Sequence, residues 1–212
     1  MQQKLVVQKT EEQLQKSSKN NLYSIPCVIF AGGKSSRMGE DKALLPFGNY
    51  STLTEYQYHK LKNIFKDVYV SCKDKHKFEF NAHFIEDLQF ENTFAPTIGF
   101  LSSFNTLENR SFFAISVDTP FISSKTIEAI VTNDSNDFDA TVAIYNQKIQ
   151  PMCGIYHSSL LQKFEKMLRF KEHKLNQLLK ESNTQYIESS DDIEFINLNY
   201  KEDYQRALEL LK

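Results

Sequence analysis

A short stretch after the first apolar run combines glycines, hydroxyls and cations. Gly32 and Gly33 permit close approach of the backbone to a ligand, and their amides can turn toward one point, which suits an anion. Ser35 adds a hydroxyl donor, and Arg37 and Lys42 add two cations to the same stretch. This combination predicts a loop that binds a polyphosphate.

The loop differs from two common phosphate-binding patterns. Neither G-x-x-x-x-G-K-[ST] nor G-x-G-x-x-G is present at this point of the sequence. The chain has only 6 glycines among 212 residues, well below the average of roughly 7%. Because glycine is so scarce elsewhere, we expect most of the six to border one crevice, with Gly99 in a loop and Gly154 on its far side.

A second candidate for chemistry is Asp118, which follows the apolar run 112–117 and precedes Thr119 and Pro120. In an open α/β sheet, ligands bind beyond the carboxyl ends of the strands, so this carboxylate is expected beside the glycine loop. Mg²⁺ needs few protein carboxylates when phosphates and water complete its shell. Asp118 therefore predicts a metal site; the alternative is a turn-capping residue. Asn199 has two interpretations, a second metal ligand or a helix cap.

These residues carry a family resemblance. The string Ala31-Gly32-Gly33-x-Ser35-x-Arg37-Met38-Gly39-x-Asp41-Lys42 resembles the signature loop of the molybdenum cofactor guanylyltransferase (MobA) family. The resemblance extends from Ile25 to Leu211. Its further segments are Ile85-Glu86-Asp87, Ala95-Pro96-Thr97-Ile98-Gly99, Val117-Asp118-Thr119-Pro120, Gln150-Pro151-Met152-x-Gly154-x-Tyr156 and Phe195-Ile196-Asn197-Leu198-Asn199.

The resemblance implies that the chain transfers GMP from MgGTP to molybdopterin and releases pyrophosphate. It implies catalytic roles for Arg37, Lys42 and Asp118, with Mg²⁺ on Asp118. Asp87 would read guanine, because its carboxylate can accept from the N1 and N2 donors. The implied nucleotide-binding set is Phe30, Ala31, Gly32, Gly33, Ser35, Lys42, Ser71, Asp87, Asp118, Asn197 and Asn199.

Two other functions stay open. One is a cytidylyl or sugar-phosphate nucleotidyltransferase of the same fold. The other is a nucleotide-binding regulator without turnover. The resemblance also implies molybdoenzymes or their chaperones as candidate partners, and we expect a monomer or a weak oligomer.

The elements that must position these residues alternate between strands and helices. Apolar runs predict strands at 25–30, 68–72, 82–85, 112–117, 140–145, 152–156, 186–188 and 195–198. Helical spacing of apolar residues predicts helices at 53–65, 98–107, 123–131, 158–168, 174–180 and 202–211, the third capped by Ser123. This alternation predicts a mostly parallel, three-layer α/β/α, Rossmann-like sheet. The resemblance implies the nucleotide-diphospho-sugar transferase type of that fold.

Composition bounds the remaining possibilities. Residues 1–24 form a polar extension without the apolar core of a secretory signal, and residues 25–212 are predicted to be a single domain. With 25 basic and 27 acidic side chains, the chain lacks the basic excess of a nucleic-acid coat. No apolar run approaches the ~20 residues of a membrane span.

The cysteines are predicted to have no catalytic role, and the clustered lysines are predicted to lie on the surface. Three cysteines without a C-x-x-C pair favour the reduced cytoplasm, and Cys27 and Cys72 are predicted core residues, whereas Cys153 lies near the predicted acceptor side. A basic stretch is interpreted as a solvated face; its members are Lys60, Lys62, Lys66, Lys73, Lys75 and Lys77.

Overall fold

A computed structural model describes residues 22–32, 39–88 and 96–211. The predicted site residues Gly33, Ser35 and Arg37 lie outside these ranges, as do Ala95 and residues 1–21. The strands are β1 (Cys27–Phe30), β2 (Val68–Cys72), β3 (His83–Glu86), β4 (Phe112–Ser116), β5 (Ala140–Tyr145), β6 (Lys148–Tyr156) and β7 (Thr184–Ser189).

These strands form one seven-stranded sheet within the described residues, in the order β3-β2-β1-β4-β6-β5-β7. Every neighbouring pair is parallel except the two that include β6, which runs antiparallel to both β4 and β5. The predicted α/β class with a mostly parallel sheet is confirmed.

Helices cover both faces of the sheet. They are α1 (Leu53–Lys62), α2 (Pro96–Thr106), α3 (Ser124–Thr132), α4 (Leu161–Phe170), α5 (Leu175–Lys180) and α6 (Lys201–Leu210). One core cluster joins Cys27 and Ile29 to apolar residues of α1, α3 and α6. The other joins Val28 to apolar residues of α2, α4 and α5. Because β1 is covered on both faces, all its positions are apolar. Among the described helices, none has the length and apolar character of a bilayer span.

The capping prediction at Ser123 is confirmed, since its Oγ accepts from the Thr126 amide at 3.1 Å. The predicted strand at 195–198 is wrong: this segment consists of turn and irregular backbone. Phe195 and Leu198 are nonetheless buried against the core. Their apolar side chains anchor an irregular segment to the core. A short apolar run in the sequence is the same for such a segment as for a short strand, so the sequence pattern does not separate the two.

β6 begins earlier than predicted because it forms a hairpin with β5. Asn146 and Gln147 join the two strands with positive φ angles of 47° and 62°, as a tight hairpin turn requires. Val142 pairs with Gly154, but the next residue, Ala143, pairs with Gln150. Residues 151–153 therefore form a bulge in β6, close to the carboxyl end of β4.

Two glycines differ from their expected surroundings, Gly154 because it is a core position of the sheet and Gly99 because it lies in a helix. Gly154 lies within the sheet, where an added Cβ would come within 2.5 Å of the Thr141 carbonyl oxygen. Gly99 lies in α2 rather than in a loop, and a Cβ there would meet the Phe30 ring at 2.9 Å. Both glycines permit close packing of neighbouring elements.

Candidate active site

The carboxyl ends of four parallel strands bring the candidate residues to one edge of the sheet. The Ala31 amide donates to the Ser71 carbonyl at 2.9 Å, and the Asp87 amide donates to the Cys72 carbonyl at 2.9 Å. On the other side of β1, the Val117 amide donates to the Phe30 carbonyl at 3.1 Å. The start of the glycine loop, Asp87 and Asp118 thus leave the sheet at the same edge.

Asp118 is bound through both carboxylate oxygens. Its Oδ2 contacts the Lys42 ammonium, and its Oδ1 accepts a short hydrogen bond from the Ser116 hydroxyl. The Lys42 Nζ also lies 3.3 Å from Asn199 Oδ1. The Lys42 and Asp118 side chains retain 16% and 14% exposure, so the pair lies at the edge of the site and is accessible to a ligand.

Lys42 is held in place by the residue before it. Asp41 caps the 3-10 turn Lys42–Leu44, with its Oδ1 accepting from the Ala43 amide at 3.1 Å. The other oxygen pairs with Lys77 Nζ at 2.7 Å, and Lys77 Nζ also lies 3.4 Å from the Ala31 carbonyl oxygen. Lys77 therefore connects the turn that carries Lys42 to the start of the glycine loop at Ala31. This contact contradicts the prediction that Lys77 lies on a solvated face. Basic composition alone offers no signal for this contact.

Asn199 reaches the site through an irregular segment docked on Asp118. The Leu198 amide donates to the Asp118 carbonyl at 3.0 Å. Asp203, in the first turn of α6, accepts from the amides of Asn199 and Tyr200 at 3.1 and 2.9 Å. Asn197 lies in the same segment with an exposed side chain, and its Nδ2 donates to the Phe195 carbonyl at 3.3 Å. Asn199, one of the two predicted asparagines, therefore lies beside Lys42.

Asp87 lies beside the first glycine of the loop. Its Oδ1 accepts from the Ser71 hydroxyl at 3.3 Å, and a Cβ added to Gly32 would lie 3.6 Å from its Oδ2. Burial raises the pKa of Asp87, although the Ser71 hydrogen bond and the charges of Lys73 and Lys77 oppose this rise. Ser71 itself is buried, so its hydroxyl supports the carboxylate.

Phe30 is held by packing of its ring and by hydrogen bonds of the sheet. Its ring packs in the core, 4.7 Å from the ring of Phe100. Its carbonyl already accepts from Val117, and the amide of Ala31 already donates to Ser71. Of the predicted nucleotide-binding residues Phe30, Ala31 and Gly32, only Gly32 lies beyond these hydrogen bonds of the sheet, next to Asp87.

The oxygen atoms around Lys42 fit a hard divalent cation. The Lys42 ammonium, itself a cation, lies between a carboxylate oxygen of Asp118 and the amide oxygen of Asn199. Oxygen ligands of this kind suit Mg²⁺, which usually keeps waters and substrate phosphates in its shell. Among the described residues no group of three or more His, Cys, Asp or Glu side chains could hold a metal. A metal held by Asp118 and Asn199 would complete its coordination with water and phosphate oxygens.

A second concavity opens at the start of α2, beside the β6 bulge. It encloses about 720 Å³, and its lining includes Pro96, Pro151, Met152, His173 and Lys174. His173 Nδ1 lies 3.0 Å from the Thr97 hydroxyl, a contact that joins the loop before α5 to the first turn of α2. The bulge that places Pro151 and Met152 here is fixed by a hydrogen bond from the Tyr156 hydroxyl to the Pro151 carbonyl.

The three cysteines are buried, as predicted for Cys27 and Cys72. Burial raises the pKa of all three thiols, that of Cys72 to about 12. Thiolate is the reactive form of cysteine, so these groups do not act as nucleophiles at neutral pH. Cys153 is a core residue despite its position next to the β6 bulge.

A mostly parallel α/β sheet with a glycine loop, a lysine and a carboxylate at its carboxyl edge defines a nucleotide-binding protein. Residues 27–186 match the family model described as the MobA-like NTP transferase domain. The chain belongs to this family and is a nucleotidyltransferase.

Curated relatives cover nearly the whole chain. A protein of Campylobacter jejuni strain RM1221 named molybdenum cofactor guanylyltransferase is 36% identical over 192 residues, covering 90% of this chain and 99% of the relative. A Helicobacter pylori strain G27 protein of the same name is 34% identical over 194 residues, covering 89% and 94%.

Solved structures agree on the fold. Molybdopterin-guanine dinucleotide biosynthesis protein A from Archaeoglobus fulgidus superposes with a TM-score of 0.74 at 20% identity, covering 88% of this chain and 98% of that one. A CMP:2-keto-3-deoxy-manno-octonic acid synthetase in complex with CTP gives 0.71 at 13% identity, covering 89% and 98%. At these identities the likeness establishes the nucleotidyltransferase fold.

Proposed function

We propose that this chain transfers GMP from MgGTP to the phosphate of molybdopterin, releasing pyrophosphate and forming the guanine dinucleotide cofactor. The observation that carries the proposal is the cluster of Lys42, Asp118 and Asn199 at the same sheet edge as Asp87. The names of the curated relatives support the same acceptor and nucleotide.

The phosphates of GTP require cations and amide donors. Lys42 supplies a cation whose position is fixed by Asp41 and by the Asp118 contact. Gly33, Ser35 and Arg37 are proposed to complete this loop, with Arg37 on the leaving pyrophosphate and Lys42 on the α-phosphate. Charged hydrogen bonds of this kind are short and strong. Their function is to stabilise charge that develops during transfer.

Asp118 and Asn199 are the residues that would hold Mg²⁺. When bound, the metal supplies charge neutralisation for the phosphate oxygens. The Ser116 hydroxyl donates to Asp118 and orients the carboxylate before any substrate arrives. Lys42 is then close enough to the same oxygen ligands to bind a phosphate attached there.

Asp87 is proposed to select guanine. An ionised carboxylate can accept from both the N1 and the N2 donors of guanine, a pair that adenine lacks. Ser71 fixes one oxygen of Asp87, and Gly32 leaves room beside the other. Since burial raises the pKa of Asp87, its charge must be maintained by the surrounding hydrogen bond and lysines.

The acceptor is proposed to bind in the concavity beside the β6 bulge. Its size, about 720 Å³, lies within the range of roughly 300–1,000 Å³ typical of small-molecule sites. Pro151 and Met152 offer apolar surface to a flat heterocycle, and Lys174 offers a cation to an anionic group. The acceptor phosphate oxygen bonds to the α-phosphorus as the bond from that phosphorus to the leaving pyrophosphate oxygen breaks. No protein nucleophile is needed, so catalysis depends on positioning and charge.

Ligand stabilisation tests the choice of nucleotide. A ligand that binds the native state raises Tm by mass action, so GTP, CTP, ATP and UTP can be compared at equal concentration with Mg²⁺. We expect GTP to produce the largest rise. A larger rise with CTP would support the cytidylyl alternative, and the absence of any rise would contradict nucleotide binding.

The cellular setting, the oligomeric state and the fate of the product remain predictions. A reduced cytoplasmic setting, a monomeric or weakly oligomeric state, and transfer of the product to molybdoenzymes or their chaperones are proposed on the family resemblance.

A further inference from the structure

Two side chains of α1 hold the turn that carries Asp118. Gln57 Nε2 donates to the carbonyls of Ser116 and Thr119 at 3.4 and 3.1 Å. Lys60 Nζ donates to the carbonyls of Pro120 and Ile122 at 2.7 and 2.6 Å. The two donors are three residues apart and so lie on one face of the helix. Together they contact the backbone on both sides of Asp118.

These contacts are made by groups whose burial is unfavourable. Gln57 is fully buried, and its Oε1 has no hydrogen-bond partner among the described residues. An unsatisfied buried acceptor costs about 1–3 kcal/mol. Burial lowers the pKa of Lys60 to about 8, although the charge of Glu194 opposes this shift. Apolar side chains would fill this space at a lower free-energy cost of burial. They would, however, leave the carbonyls of the turn without these hydrogen-bond donors.

Within the described part of the chain, the other hydrogen bonds of this turn on that side are local ones. Thr119 makes local hydrogen bonds to Ser116, with its hydroxyl at 3.1 Å and its amide at 3.5 Å from the Ser116 carbonyl. On the opposite side, the Leu198 amide binds the Asp118 carbonyl. Asp118 is thus fixed between α1 and the segment that carries Asn199.

We propose that Gln57 and Lys60 are positioning residues for Asp118, holding its turn so that the carboxylate meets the metal-binding position beside Lys42 and Asn199. This inference rests on the proposed function. It assigns a role in the site to Lys60, which composition alone places on a solvated face.

The test compares Lys60→Met with Lys62→Met. Lys62 lies on the same helix, is partly exposed, and donates to the Lys66 carbonyl at 3.1 Å, away from the turn. The dissociation constant of GTP is measured with and without Mg²⁺ by calorimetry. We expect Lys60→Met to lose about 10-fold or more of the Mg²⁺-dependent gain in affinity, while its metal-free affinity stays within about twofold of wild type. Lys62→Met should match wild type in both.

A double variant separates positioning from general stability. If Lys60 acts through Asp118, Lys60→Met should produce no further loss of MgGTP affinity in an Asp118→Ala background. Independent, additive losses would overturn the inference, as would equal losses with and without metal. If Lys60→Met does not fold, Gln57→Leu must produce the same selective loss. A wild-type protein without transfer activity refutes the proposed function, whereas an active wild type with an unaffected Lys60→Met refutes this inference alone.

Discussion

The Lys42 ammonium contacts the Asp118 carboxylate, although the two residues are 76 positions apart in the chain. The lysine proposed to bind phosphate and the aspartate proposed to bind the metal therefore neutralise each other's charge. Both side chains are mostly buried. An unpaired charge there would be unfavourable, and the ion pair gives each charge an opposite charge as its partner. An incoming metal–nucleotide complex brings a cation for Asp118 and an anion for Lys42, which preserves this balance.

Replacing Asp118 with alanine is expected to abolish Mg²⁺-dependent transfer. The change removes the carboxylate that Lys42 and Ser116 orient, and the loss should exceed about 10²-fold in kcat. The measurement is pyrophosphate release in a coupled assay, with circular dichroism as the check on folding. Asp118→Asn keeps the shape of the side chain and should be similarly impaired. Full activity in a folded Asp118→Ala protein would remove the metal assignment.

Replacing Lys42 with alanine is expected to lower kcat by about 10²-fold if its ammonium contacts the transferring phosphoryl group. Lys62→Ala is the matched control, because Lys62 is a partly exposed lysine whose amine binds only a nearby carbonyl among the contacts described. Single-turnover kinetics separate the chemical step from binding. An unchanged rate in Lys42→Ala would refute the proposed role.

The Asp87 carboxylate is expected to make GTP binding sensitive to acid. Its pKa is raised by burial, so it becomes protonated at a higher pH than an ordinary aspartate and then cannot accept from both guanine donors. GTP affinity should fall as pH decreases through this raised pKa. Asp87→Asn should bind GTP weakly at all pH values and lose the acid dependence. A fall of the same size and midpoint in Asp87→Asn would assign the effect to another group.

The order of strands and helices could be predicted because β1 is apolar on both faces and α3 begins at a capping serine. The edge of the sheet that gathers Asp87 and Asp118 also follows from the parallel topology. Contacts between residues that are far apart in the sequence could not be predicted. The apolar residues of 195–198 look like a strand, yet they anchor an irregular segment whose Leu198 amide binds Asp118.

Lysine roles were the least predictable from sequence. Lys60, Lys62 and Lys77 share a basic stretch, but a lysine side chain can bury its stem and direct its amine to any nearby acceptor. Lys62 binds the nearby Lys66 carbonyl, whereas Lys60 binds carbonyls of the Asp118 turn and Lys77 pairs with Asp41. Only the three-dimensional arrangement separates them.

The buried amine of Lys60 is expected to leave a signature in stability against pH. Its folded-state pKa of about 8 lies below the unfolded value of roughly 10.4. Between these values the unfolded chain binds more protons, so this group makes stability rise with pH. Relative to Lys60→Met, the wild-type free energy of unfolding should increase between pH 7 and pH 10, by up to about 3 kcal/mol. Urea unfolding of both proteins across this range measures it; a constant difference would contradict the lowered pKa.

Gly154 is expected to tolerate no side chain, although it is not part of the crevice. Alanine would bring a Cβ to 2.5 Å from the Thr141 carbonyl oxygen, and overpacking of this kind costs about 1–3 kcal/mol or more. Urea denaturation should show the loss in Gly154→Ala, with GTP affinity unchanged at a temperature where the variant stays folded. A stable variant with weakened GTP binding would contradict a purely structural role for Gly154.

Product formation is the most direct test of the transfer of GMP to molybdopterin. Purified protein is mixed with MgGTP and molybdopterin, and both pyrophosphate and the dinucleotide product are quantified, with MgCTP in a parallel reaction. We predict equimolar pyrophosphate and guanine dinucleotide, dependent on Mg²⁺ and on the acceptor, with little product from CTP. Binding of GTP without product, or preferential formation of the cytosine dinucleotide, would contradict the account.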